Sequence, residues 1–232
     1  MRTRLHEFSD GAALAEALAD RVAGVLADAV AERGAASIAV SGGSTPKAFF
    51  KALSARDLDW ARVTVTLVDE RFVPADNPRS NHLLVAENLL QGKAAAARFV
   101  PLYHAAASAG AAADLASAET AEIGQPFDVV VLGMGTDGHT ASFFPGGDRL
   151  AEAISAKTPR GVITMEADGA GETRLTLTFA SLEDARLLVL HIEGQGKRDV
   201  LAAAEADGPE ADMPVRAVLR RTETPVDIYW AP

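Results

Sequence analysis

The sequence predicts a doubly wound α/β domain, a mostly parallel sheet with helices on both faces. Three observations carry this expectation. Short apolar or β-branched runs alternate along the 232 residues with longer stretches of helical spacing. Hydrophobic residues make up 48% of the chain, enough to build a sizeable core. Four polar or glycine-rich segments directly follow strand-like runs, as expected where ligands gather outside the carboxyl ends of parallel strands.

In chain order, Ala12 to Arg33 combines Ala, Leu and Val with helically spaced polar residues and predicts a long amphipathic helix. Ser37 to Val40 reads as a short strand and Pro46 to Arg56 as a second helix. The β-branched run Val63 to Val68 is strand-like. Asn81 to Leu90 predicts a helix capped by Ser80. Alanine-rich Ala105 to Ile123 predicts another, weakened at its start by Gly110. Phe127 to Leu132 reads as a buried strand. Gly161 to Met165 and Arg174 to Phe179 are strand candidates joined by the turn-rich Asp168 to Gly171. Leu187 to Ile192 predicts a strand, Lys197 to Glu205 a helix, and Pro225 to Trp230 a last strand. No linker, repeat or low-complexity segment divides the chain, so residues 1–232 are expected to form a single domain.

Composition narrows the function. The chain has no cysteine, which excludes disulfides, thiolate catalysis and cysteine-ligated metals. A formal charge of 22 − 32 = −10 disfavours nucleic acid and membrane surfaces as partners, but a local Arg/Lys cluster can still bind a small anion. No apolar signal core follows Met1 to His6 and no run reaches membrane-spanning length. The expectation is a soluble cytoplasmic protein.

Chemistry concentrates in Gly133-Met134-Gly135-Thr136-Asp137-Gly138-His139, directly after the strand that ends at Leu132. Three glycines allow a sharp turn and a close approach to a ligand. The turn carries an imidazole and a carboxylate two residues apart. Ser41-Gly42-Gly43-Ser44-Thr45-Pro46 fits an anion-binding turn: Gly42 and Gly43 permit backbone approach, Ser44 and Thr45 offer hydroxyls, and a helix start follows. It lacks the Gly-Lys-Ser/Thr of a Walker loop. Read without its context it would be an ordinary glycine turn.

Asp69-Glu70-Arg71 closes an apolar strand, where a carboxylate can act as a base, hold a hydroxyl or pair with an arginine. Gly194-Gln195-Gly196-Lys197 places Lys197 in a first helical turn, against the helix dipole, and a local rule broken beside glycines hints at function. Strand alternation puts Arg174 with Thr176 and Thr178 on a polar face, where an arginine is often only a solvated edge charge. Of five histidines, His6, His82, His104 and His191 read as structural, and His139 differs by its glycine-rich setting. No His-x-x-x-His or HExxH pattern suggests a metal, and no Gly-x-Ser-x-Gly elbow suggests a serine nucleophile.

With these residues in view, the chain resembles the 6-phosphogluconolactonase family, which is grouped with the glucosamine-6-phosphate isomerase/deaminases. The resemblance runs in order through Ser41 to Pro46, Asp69 to Arg71, Gly133 to Gly146, Arg174 and Lys197. It implies a Rossmann-like, sugar-phosphate isomerase-like fold. It further implies cofactor-free hydrolysis of 6-phospho-D-glucono-1,5-lactone to 6-phospho-D-gluconate in the oxidative pentose phosphate pathway; a monomer or weak homodimer without a metal is expected. It implies that His139 is catalytic with Asp137 beside it, and that Asp69 matches the deaminase base. It places substrate binding on Gly42, Gly43, Ser44, Thr45, Arg71, Arg174 and Lys197.

Two departures separate the chain from the deaminase pattern. Arg71 stands where that pattern has a tyrosine, and Phe143-Phe144-Pro145 replaces its Asn-Glu-Pro. The carboxylate that assists ring opening is thus missing. A deaminase/isomerase and a non-catalytic sugar-phosphate binder are the alternative readings.

For lactone hydrolysis, the sequence suggests that neutral His139 takes a proton from water and returns one to the leaving ring oxygen. Imidazole, titrating at about 6.5, suits both steps. Oxyanion donors are expected from the glycine-loop amides or Arg71.

Overall fold

The computed structural model describes residues 2–232. Ten strands and eight helices follow in chain order: β1 (Thr3–Glu7), α1 (Gly11–Arg33), β2 (Ala36–Val40), α2 (Lys47–Ser54), β3 (Val63–Leu67), β4 (Asp69–Arg71), α3 (Asn81–Asn88), β5 (Arg98–Val100), α4 (Ala109–Ala121), β6 (Val129–Leu132), α5 (Leu150–Ala153), β7 (Val162–Met165), β8 (Arg174–Leu177), α6 (Phe179–Leu182), β9 (Leu187–Glu193), α7 (Gln195–Glu205), α8 (Val215–Arg221) and β10 (Val226–Ala231). Seven strands form one sheet in the order β1-β10-β9-β6-β2-β3-β5, with every pairing parallel. The doubly wound α/β fold read from the sequence is therefore the fold observed.

This strand order contains the feature that locates the site. From β2 the chain winds outward through β3 to β5, then returns to β6 on the other side and winds outward through β9 and β10. Right-handed crossovers running in opposite directions place helices on opposite faces. The loops after β2 and β6 therefore diverge, leaving a crevice at the switch point between them. The strands end level there, with Val40 paired to Val131 and to Leu67. Strands β2 and β6 are buried along their whole length, which explains their almost wholly apolar character, broken only by Ser37.

The sequence places all four polar segments at one end of a single parallel sheet. The structure modifies this. Asp69–Arg71 is itself a strand, pairing antiparallel with β8, which pairs antiparallel with β7 in a separate three-stranded sheet, β4-β8-β7. This small sheet leans over the switch point, with Leu177 N donating to Val68 O at 2.9 Å.

Several boundaries also shift for identifiable reasons. The helix expected from Ala105 begins at Ala109, because the Ser108 hydroxyl accepts from Ala111 N and caps it there. The helix expected from Lys197 begins at Gln195, entered through Gly194 at φ 87°. Strands β1 and β5 were not legible: both lie at sheet edges and present charged or exposed residues in place of an apolar run. Ser80 caps α3 as expected, accepting from Leu83 N.

Candidate active site

At the switch point the two turns are tied together. Ser41 N donates to Val131 O, and Gly133 N donates to Ser41 Oγ at 3.0 Å. The cleft above them measures about 280 Å³. That is at the small end for ligand sites, which run to roughly 300–1,000 Å³, and suits one monosaccharide better than a dinucleotide. Every residue assigned to the site from the sequence lines this cleft except Asp137, which lies directly behind His139. Among its charged lining residues, the cations Arg71, Arg174 and Lys197 outnumber the single carboxylate, Asp69, on a chain whose net charge is −10.

The β2–α2 turn has the form of an anion site. Gly43 sits at φ 92°, a conformation that L side chains rarely adopt. The amides of Gly42, Gly43, Ser44 and Thr45 have no protein acceptor among the described residues. They line the cleft beside the start of α2, where unpaired N–H groups favour an anion.

The β6 turn builds the reactive pair. Gly135 N donates to His139 O at 2.8 Å, Gly138 N donates to Gly135 O, and the Thr140 hydroxyl donates to Gly133 O. Gly138, at φ 80°, and Ala141, a non-glycine at φ 48°, complete the reversal. Within it His139 Nδ1 lies 2.6 Å from Asp137 Oδ1, and the same oxygen accepts from His139 N at 3.0 Å.

Partial burial pushes the Asp137 carboxyl up, but the hydrogen bonds from His139 and its charge outweigh this and leave the group below its ordinary value. An ionised carboxylate only accepts, so Nδ1 carries the imidazole proton and Nε2 keeps its lone pair for the cleft. Phe144 covers one ring face, 4.3 Å between centroids.

The small sheet supplies the opposite wall. Asp69 Oδ2 accepts from the Ser142 hydroxyl at 2.6 Å and lies 3.8 Å from Arg174 Nη1. Arg174 is buried, so it is not the solvated edge charge that its strand position alone suggested. It donates to Ala170 O at 2.7 Å, and its guanidinium lies 5.3 Å from the Phe144 ring. Burial lowers its pKa from the usual value, against the pull of Asp69. Arg71 donates through Nη1 to Arg79 O. Lys197 Nζ donates to Met134 O at 2.6 Å, which holds its ammonium against the β6 turn at the cleft, and burial lowers its pKa as well.

The structure narrows the expected oxyanion donors. The amides of Gly135 and Gly138 are already used inside the turn and that of Gly133 on Ser41 Oγ, while those of Met134 and Thr136 have no protein acceptor among the described residues. Both sources named from the sequence keep free N–H groups: these two loop amides and the Arg71 guanidinium.

Sequence reasoning missed Asn81, Ser142 and His191. Asn81 gave no signal beyond its place after a helix cap. Ser142 lies inside the glycine-rich block but shows its role only through Asp69. His191, read as structural, is buried with Nε2 3.0 Å from Glu193 Oε1 and also borders the cleft.

With this geometry in place, comparison with known proteins is decisive. Residues 9–230 match the family described as glucosamine-6-phosphate isomerases/6-phosphogluconolactonase. The chain belongs to this family. It is 69% identical to a 6-phosphogluconolactonase of Rhizobium meliloti (strain 1021), over the full length of both chains. It is 47% identical to one from Pseudomonas aeruginosa, over 98% of this chain and 94% of the relative. Among solved structures, a 6-phosphogluconolactonase from Shewanella baltica OS155 superposes with a TM-score of 0.96 at 40% identity, covering 99% of this chain and 98% of the other.

Proposed function

We propose that this protein hydrolyses 6-phospho-D-glucono-1,5-lactone to 6-phospho-D-gluconate, the lactone-opening step of the oxidative pentose phosphate pathway. One observation carries the reading: an imidazole oriented by an ionised carboxylate shares a small cleft with an unpaired amide turn and three cations. The close identity to named lactonases supports it.

His139 is the general base. Nε2 takes a proton from water as the water oxygen attacks C1, and the carbonyl electrons move onto oxygen. Arg71 faces that developing charge. When the tetrahedral species collapses, the C1–ring oxygen bond breaks and the ring oxygen receives the proton from the imidazolium. The carboxylic acid formed then ionises. Asp137 keeps Nδ1 protonated throughout and is a positioning residue.

The phosphate is held by Gly42, Gly43, Ser44 and Thr45 with Lys197, whose ammonium has one neutral partner and donors to spare. Arg174, already bound to Ala170 O and close to Asp69, is the secondary cation. Asp69 fixes Arg174 and, through Ser142, the end of the catalytic turn. We read residues 1–232 as one functional unit, because the cleft draws on both sheets. We read the protein as a monomer or weak homodimer.

Among the described residues, no helix is long and apolar enough to cross a membrane. A cytoplasmic location suits this reading, because the proposed substrate is a charged sugar phosphate that does not cross bilayers.

The test is a pH-stat assay on freshly generated lactone, corrected for spontaneous opening. His139→Ala should lower turnover by roughly 10²- to 10⁴-fold. Near-normal turnover removes the assigned role. Ammonia released from glucosamine 6-phosphate, without lactone hydrolysis, would replace the reading with a deaminase.

A further inference from the structure

Asn81 is the first residue of α3, borders the cleft and is almost fully buried, yet the reaction described above does not use it. Its side-chain amide has only one possible orientation. Nδ2 donates to Asp69 O at 2.9 Å, and a backbone carbonyl accepts only, so the nitrogen must face Asp69 and the oxygen must face away. Away means toward Gly42, where a Cβ would fall 1.8 Å from Asn81 Oδ1. Gly42 does not need its glycine for a positive φ. It needs it to admit this amide.

Asn81 Oδ1 accepts no hydrogen bond from the described residues, and it is not among the buried unpartnered atoms, so it opens to the cleft. Its support is rigid. The fully buried carboxylate of Glu70 accepts from Arg71 N at 2.7 Å, Asn81 N at 2.8 Å, His82 N at 2.8 Å and the Ser80 hydroxyl at 2.9 Å. That one side chain locks the start of α3 onto β4.

An oriented amide oxygen selects its partner by chemistry. A phosphate dianion and a lactone carbonyl present only acceptors and are repelled, whereas a sugar hydroxyl can donate. We propose that Asn81 is a specificity-determining residue whose Oδ1 accepts a hydrogen bond from one ring hydroxyl of the substrate, held in place by Glu70 and admitted by the missing side chain of Gly42. The proposal rests on the lactonase reading and deepens it: the site reads a hydroxylated ring as well as a phosphate and an ester carbonyl. Because the acceptor is fixed before binding, little ordering cost offsets the contact.

The experiment compares kcat/KM for 6-phosphogluconolactone with its 2-, 3- and 4-deoxy analogues, for the wild type and for Asn81→Ala and Asn81→Ser. One deoxy analogue should lose roughly 5- to 100-fold with the wild type, the cost of leaving a desolvated acceptor unpaired. Both variants should lose a similar factor on the parent lactone and become nearly indifferent to that same hydroxyl. A wild type that treats all three analogues within about 2-fold of the parent overturns the inference, even if neither variant folds. Variants that keep wild-type discrimination overturn it too. In either case a normal wild-type rate on the parent lactone leaves the lactonase reading standing. No hydrolysis of the parent by the wild type removes that reading, and this inference with it.

Discussion

Gly135 gives the sharpest test of whether the imidazole's position matters. Its φ is not in the left-handed region, so alanine is acceptable to the backbone. The obstacle is steric: a Cβ there would lie 2.1 Å from His139 Nδ1, 2.2 Å from Cε1 and 2.5 Å from Asp137 Oδ1. Ordinary contact begins near 3.4 Å, so the ring edge must retreat by about 1 Å, and the Nδ1–Asp137 bond must break or move with it. Phe144 packs against the ring and closes one route of escape. A displacement of that size can cost about 10²-fold in rate. One inserted methyl costs about 1–3 kcal/mol of stability where the surroundings are tight, and less in this half-open loop.

Gly135→Ala should therefore remain folded and bind 6-phosphogluconate with near-normal affinity by calorimetry, because the phosphate turn and Lys197 are untouched. Its kcat at saturating lactone should fall roughly 10²-fold. A kcat within about 3-fold of wild type would refute the claim that the dyad must occupy this position. An equal loss of product affinity would show that the turn also forms the phosphate site.

Two further predictions concern the charges around the dyad. Asp137→Asn keeps the shape but loses the charge, and its amide can turn an N–H donor toward Nδ1, so the imidazole tautomer is no longer fixed and kcat should fall by roughly 10²- to 10⁴-fold with KM little changed. The same variant has a stability signature. The Asp137 pKa is depressed below its ordinary 3.8 in the folded protein, so its stabilising effect is complete above that value and disappears as pH falls through the lowered folded pKa. The Tm difference between wild type and Asp137→Asn should shrink on acidification toward pH 3, and a constant difference would contradict the assignment. Lys197→Ala should raise KM for the phosphorylated lactone far more than for unphosphorylated glucono-1,5-lactone; equal losses on both would contradict anchoring. Burial lowers the Lys197 pKa from 10.5, so wild-type affinity for 6-phosphogluconate should begin to fall at a pH below that value, and Lys197→Arg should postpone the fall.

The sequence revealed the parts of the site built from local chain and hid those made across space. The β6 turn was legible because its glycines, Asp137 and His139 lie within seven consecutive residues after a buried apolar strand. The β2–α2 turn was legible for the same reason. Lys197 stood out because it opposes a helix dipole. The small sheet was only half legible: its hairpin strands β7 and β8 could be read, but Asp69–Arg71 is too short and polar to announce itself as a third strand. Asn81 and Ser142 carried no local signal, since each is defined by a partner 12 or 73 residues away. The boundary errors had a common source: cap geometry at Ser108 and Gly194, not propensity, set where α4 and α7 begin.

Phe144 shows why this cleft suits hydrolysis more than sugar isomerisation. It occupies the place where the deaminase pattern, by resemblance, carries a glutamate, and it is fully buried between the His139 ring and the Arg174 guanidinium. A carboxylate there would face an imidazole that needs Nε2 free and an arginine already close to Asp69. It would compete with Asp137 for the ring and with Asp69 for Arg174. The phenyl competes for neither. It fixes the imidazole plane by packing and adds no second proton acceptor. Opening an amino-sugar ring and then shifting its protons calls on more than one acid/base group; ester hydrolysis needs one group that takes a proton from water and gives it back to the leaving oxygen. A single imidazole, oriented by Asp137 and packed on Phe144, meets the requirement of ester hydrolysis.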